Sequence, residues 1–165
     1  MIADSQVSPT PHFVHADDRK IGERRSLMHL CARASEDEMT TALRAIDFAG
    51  DVSMLRAPEV GLVMLRGRTG GDGAPFNVGE ATVTRAVVAL ASGETGYGYC
   101  LGRAATRARL AAVIDAVGQH PWLGPRIRSS LAAVVAPRLM AENREISEQT
   151  AATRVNFFTL VRGED

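Results

Sequence analysis

Arg66 and Arg68 flank and enter a glycine-rich run, GRTGGDG (residues 67–73), and here the residue types suggest contact with phosphate. Glycines let a backbone close around an oxyanion, and arginine forks can grip it. A Walker loop, however, needs GxxxxGK[ST], so that a lysine and a hydroxyl meet the phosphates and magnesium. Asp72 stands where a lysine would help, and no helix is expected to follow. A hairpin loop is the better reading. Arg66 and Arg68 stay as weak candidates for delivering charge to a phosphorylated ligand at a subunit boundary.

The other chemistry-bearing residues do not converge. His12 and His15 lie in the N-terminal stretch, His29 sits beside the apolar stripe of a helix, and His120 precedes a proline. A metal site needs three or four convergent ligands, so none is expected. No GxSxG elbow occurs, and Ser26, Ser53 and Ser92 have no activating context. Glu59 and Glu80 are turn or sheet-edge acids of the kind that is normally solvated. Arg85 alternates with Val83 and Val87 on a strand face that looks buried. An inward arginine needs an acid or an anion, so internal pairing is expected, with ligand or subunit contact as the alternative.

The elements that must position these residues read as α+β: helices flanking a mostly antiparallel sheet of about four hairpin-built strands. Residues 1–20 look like a tail and 21–165 like one domain. Helices are expected at 22–34 and after Ser35, where Ser35 and Glu38 form a capping box. Strands are expected at 52–57 and 60–66, with Pro58-Glu59 as a turn. A helix over 104–117 ends at Gly118, and helices at 125–135 and 139–150 are separated by Pro137. Residues 155–161 form a candidate last strand.

The strongest pattern is a long hairpin, 76–103, turning at Ser92-Gly93. In its second strand Tyr97, Tyr99 and Leu101 share one face, and Gly96, Gly98, Cys100 and Gly102 share the other. A nearly bare face admits another backbone closely. A helix of the same domain is its usual cover; a sister subunit is the alternative, which makes Gly96, Tyr97, Gly98, Tyr99, Gly102 and Arg85 interface candidates. Phe157 and Phe158, flanked by Arg154 and Arg162, join them, since aromatics beside arginine are typical interface anchors.

Composition narrows the class. The 165 residues are 45% hydrophobic, enough for a core, and 19 basic residues balance 19 acidic ones. That balance disfavours a nucleic-acid protein. No segment reads as a secretory signal or a membrane span, so a cytoplasmic location is expected. Cys31 and Cys100 read as buried free thiols. Lys20 is the lone lysine among the 19 basic residues, a bias that a GC-rich genome explains.

Four blocks in register resemble one family. The segments LRAPEVGLVMLRGRTGGDGAPFNVGEATVTRA (55–86), GETGYGYCLGR (93–103), LAAVIDAV (110–117) and TRVNFFTLVRG (153–163) are similar to the PhnG subunit family of the bacterial phosphonate carbon–phosphorus lyase system. The resemblance covers the chain from about Arg24 onward. It implies a subunit of a core complex with PhnH-, PhnI- and PhnJ-like proteins, the PhnI-like one most directly. Such a complex makes α-D-ribose 1-methylphosphonate 5-triphosphate from methylphosphonate and ATP, releasing adenine. ATP would be a co-substrate of the complex, with no cofactor held by this chain alone and no catalytic residue to carry over. The rival reading is a free-standing homo-oligomeric small-ligand-binding domain that self-associates through the bare strand face.

Overall fold

The structure, a computed structural model, describes residues 16–70 and 72–153. In chain order these form α1 (Ala16–Arg33), α2 (Glu36–Ala45), β1 (Val52–Arg68), β2 (Pro75–Leu90), β3 (Thr95–Leu101), α3 (Ala105–Gln119) and α4 (Leu123–Ala152). The strands make one antiparallel sheet in the order β1-β2-β3. The α+β class holds, with three strands among the described residues where about four were expected.

The strand count differs because Pro58 does not turn the chain. It lies in a bulge of β1 between the pairs Arg56↔Val87 and Glu59↔Arg85. A residue without an N–H breaks no ladder bond at a bulge, so residues 52–68 run on as a single strand. The expected strand at 155–161, with Phe157 and Phe158, lies outside the described residues.

Two helix boundaries differ as well. Helix α1 begins at Ala16, inside the stretch read as a tail. Pro137 sits within α4 instead of ending a helix. Its ring removes the bond to the carbonyl of Ala133, but Pro137 and Ala133 are both exposed, so water can satisfy that carbonyl. Packing on either side, through buried Leu131 and Val135 and partly buried Leu139, carries the helix across. The capping box is present: Ser35 Oγ accepts from Glu38 N–H at 3.1 Å, and Ser35 N–H donates to Glu38 Oε2 at 2.8 Å. Gly118 is helical rather than a cap; its missing Cβ leaves room for Leu27, whose Cδ2 lies 2.4 Å from where that atom would be.

The core forms where α3 lies flat on β2 and β3. Ala108, Ala112 and Ala116 on the helix meet Ala86, Val88 and Cys100 on the sheet, with Leu27, Met39, Ile127 and Leu131 closing the other helices over it. A Cβ at Gly96 would fall 2.0 Å from the Ala112 carbonyl oxygen, and one at Gly98 1.8 Å from that of Ala108. The bare strand face therefore receives the domain's own helix. Gly96 and Gly98 are packing positions, not partner contacts, and self-association through that face loses its basis. Gly102 is not part of the face either. It follows the end of β3 at φ +82°, and its N–H donates to the Thr82 carbonyl at 2.7 Å.

A cluster of charge ties the helices together. Arg138 on α4 donates to Glu38 Oε1 and Oε2 (2.7 and 2.9 Å), to the Arg33 carbonyl (2.9 Å) and to Glu142. It thus joins the end of α1, the start of α2 and the middle of α4. The guanidinium holds the Glu38 carboxyl well below its ordinary value of 4.5, at about 2. Because the folded-state pKa is depressed, this stabilisation is present above pH 4.5 and is lost as pH falls through that range toward 2. Glu38→Gln should therefore flatten the acid limb of stability; urea midpoints from pH 5 down to pH 2, in steps of roughly half a unit, check this.

Both cysteines are buried and unpaired. Burial pushes the Cys31 thiol up to about 12 and raises that of Cys100. Neither should react with a thiol reagent at neutral pH in the folded protein, and both should titrate after unfolding in urea.

Candidate partner-binding surface

Beyond the helices the sheet continues as an arm. The last β2–β3 pair is Val83↔Leu101, whereas β1 and β2 stay paired to Arg68↔Pro75. Helix α3 begins at this level, where the Ala104 N–H donates to Thr84 Oγ1 at 3.0 Å and Thr84 Oγ1 donates to the Gly102 carbonyl at 2.7 Å. Seven pairs, Leu62↔Thr82 to Arg68↔Pro75, therefore project past the core, roughly 23 Å at the usual rise per strand residue. No residue of 60–68 or 75–82 is buried.

The arm is apolar despite its exposure. Val60, Leu62, Met64, Leu65, Phe76 and Val78 are each between 45% and 64% exposed. Val60, Leu62 and Met64 lie on the helix side of the sheet; Val63 and Leu65 lie on the other. A second bulge, between Leu65 and Arg66, leaves Val78 as the extra residue. Gly67 accommodates it, since a Cβ there would fall 2.8 Å from Val78 Cγ2. Between the two bulges, residues 59–65 pair in unbroken register with 85–79.

The face opposite α3 adds a second apolar area. Tyr97, Tyr99 and Leu101 are 51%, 48% and 71% exposed. Arg85 lies among them, opposite Tyr99, so it points away from the core rather than into it. The expected internal partner is Glu59, directly across on β1: Arg85 Nε donates to Glu59 Oε1 at 2.5 Å, and Arg56 reaches the same oxygen at 3.3 Å. With both side chains about half exposed, this ion pair is worth little in stability.

Arg66 and Arg68 sit near the arm's tip. Arg68 donates to the Gly73 carbonyl at 3.2 Å, closing the loop on itself. The structure does not bring these arginines together with the tyrosine face. Elsewhere, a 370 Å³ cleft lies between α1 and the α3–α4 turn. Its Arg24 and Arg128 are already paired, with Asp115 and Glu23. Among the described residues, no group of three or more His, Cys, Asp or Glu could hold a metal ion, and no helix is long and apolar enough to cross a membrane.

Sequence reading missed the arm because its residues look like ordinary core strands. The missing signal is a count: 17 residues of β1 and 16 of β2 outrun the 7 of β3 and the 15-residue helix meant to cover them. It also missed Asp115, a helical acid in an otherwise apolar run. Asp115 is 1% exposed and accepts from Arg24 twice (2.8 and 2.7 Å) and from the Tyr97 N–H at 2.9 Å. Gln119 Nε2 donates to the Thr95 carbonyl at 2.8 Å on the same strand.

These features define a helix-backed antiparallel α+β domain that holds an apolar arm away from its core, uncovered among the described residues. Sequence comparison specifies it further. The family described as phosphonate metabolism protein PhnG matches residues 22–163, and the chain belongs to that family. A relative from Rhizobium meliloti (strain 1021), named α-D-ribose 1-methylphosphonate 5-triphosphate synthase subunit PhnG, is 52% identical over 153 residues. The similarity spans 91% of this chain and 96% of that relative.

Proposed function

We propose that this chain is the PhnG subunit of an α-D-ribose 1-methylphosphonate 5-triphosphate synthase. The observation that carries the reading is the 52% identity to a subunit of that name, over nearly the full length of both chains. The apolar arm supports it, because an isolated protein rarely leaves so much contiguous apolar surface in water. In this reading the chain is a non-autonomous, scaffolding subunit that works in the cytoplasm. It assembles with PhnH-, PhnI- and PhnJ-like chains, the PhnI-like one in closest contact. The complex joins methylphosphonate to C1′ of the ribose of ATP and releases adenine. ATP is a co-substrate of the complex, and this chain holds no cofactor alone.

The test is growth. A phosphonate-using bacterium deleted for its own PhnG should regain growth on methylphosphonate as sole phosphorus source when given this gene. Restored growth supports the reading. Absence of growth, with the protein expressed and the partner genes intact, would overturn it.

A further inference from the structure

The ladder of hydrogen bonds across the sheet fixes which backbone groups of β1 are left without partners among the described residues. The Tyr97 N–H turns outward to Asp115, while the Gly102 N–H bonds to the Thr82 carbonyl and the Leu90 N–H to the Glu94 carbonyl. Even-numbered residues of β2 therefore face β3, and odd-numbered ones face β1. The Ala91 N–H bond to the Asp51 carbonyl follows the same parity. In the register Glu59↔Arg85, Gly61↔Val83, Val63↔Ala81 and Leu65↔Gly79, residues 59, 61, 63 and 65 bond to β2. The N–H and C=O groups of Val60, Leu62 and Met64 point to the open edge, and their side chains are 52%, 64% and 53% exposed.

Among the described residues the arm thus lacks cover on both faces and along the β1 edge; its β2 edge past Thr82 is unpaired too, but it is interrupted by Glu80 and the Val78 bulge, which leaves β1 as the flat apolar edge. A second copy pairing β1 to β1 would satisfy the edge and leave both faces wet. That contact is confined to one strand edge, whereas stable dimers bury about 800 Å² on each partner. A groove that encloses the arm covers both faces as well as the β1 edge. Long flat apolar edges are otherwise blunted by charge, and between the bulges this one carries only Glu59, already engaged by Arg85 and Arg56.

Building on the subunit reading, we propose that the arm inserts into an apolar groove of a sister subunit, which adds an extended strand to β1 along Val60, Leu62 and Met64. Backbone pairing supplies the register, and apolar residues at alternate positions of the added strand cover the exposed side chains.

Amide hydrogen exchange on the isolated chain and on the complex co-purified with the other synthase subunits tests this. In the isolated chain, Gly61, Val63 and Leu65 amides should be protected and Val60, Leu62 and Met64 amides should exchange freely. In the complex the second set should slow by at least about a hundredfold, as unpaired edge amides become ladder amides. Leu62→Pro deletes one outward N–H and leaves the β2 ladder intact. It should fold with an unchanged urea midpoint and fail to co-purify, whereas Leu62→Val should co-purify. Three results would overturn the proposal. In one, the complex forms while Val60, Leu62 and Met64 stay unprotected; the subunit reading would then survive. In another, these amides are protected in the isolated chain, either at any dilution, from an intramolecular strand, or only at high concentration, from a second copy. The third is failure of the wild-type chain to form any complex, which would remove the subunit reading as well.

Discussion

Gly98→Ala should cost about 3 kcal/mol or more and lower the melting temperature by roughly 6–12 °C, since each 1 kcal/mol shifts a domain of this size by about 2–4 °C. The atoms the new methyl would meet are backbone: the Ala108 carbonyl oxygen at 1.8 Å and the Ala112 nitrogen at 2.8 Å. No side chain can rotate away, so α3 must lift from the sheet. Lifting it exposes Ala108, Ala112 and Cys100 together. Gly79→Ala is the control, because nothing lies within 4 Å of a Cβ there. Thermal unfolding of the two variants separates a packing constraint from a general intolerance of alanine in strands. Equal melting temperatures would mean that the helix does not press on Gly98.

The second large effect is expected at Arg24. Arg24→Ala strips a buried carboxylate of two hydrogen bonds, leaving Asp115 with only the Tyr97 N–H. Removing one member of a buried pair commonly costs 3–5 kcal/mol. Arg24 itself is 39% exposed, so part of that is screened and about 2–3 kcal/mol is expected. The arginine also lies 5.8 Å above the Tyr97 ring, a smaller contribution. Asp115→Ala should cost about as much, because it leaves the Tyr97 N–H of a strand without an acceptor. The double variant should cost less than the sum of the singles by at least about 1 kcal/mol. Urea unfolding of all four proteins measures this, and strict additivity would mean that the two groups do not act as a pair.

Local chemistry was readable in the sequence wherever it sufficed to decide the structure. The Ser35–Glu38 box, the turn at Ser92-Gly93 and the amphipathic stripe Met39, Ala42, Ile46 all depend on neighbours a few residues apart. The small face of β3 was legible too, and its cover proved to be the domain's own helix. Features set by distant partners were not legible. Pro137 looked like a helix end because the bonds of Arg138 to Glu38 and the Arg33 carbonyl, about a hundred residues away in sequence, cannot be inferred from spacing. Arg85 was assigned to the wrong side because hydrophobic alternation distinguishes two faces but not which one a helix will cover. Of the candidate surface, Tyr97 and Tyr99 were recognised and the arm was not. Val60, Leu62 and Met64 have the composition of a buried strand, and only the shortness of β3 and α3 leaves them outside.

The Asp115 carboxylate has a consequence beyond holding a helix to a strand. Together with Gln119 it occupies outward-facing groups of β3 at Tyr97 and Thr95, so the start of that margin is stoppered by side chains of its own domain. An incoming strand would have to displace Asp115 from the Tyr97 N–H, and with it the Arg24 pair, before it could bond there. The carboxylate thus acts as a guard: strand addition along the start of β3 would cost the domain one of its own interlayer ties, whereas addition along Val60, Leu62 and Met64 of β1 displaces nothing among the described residues.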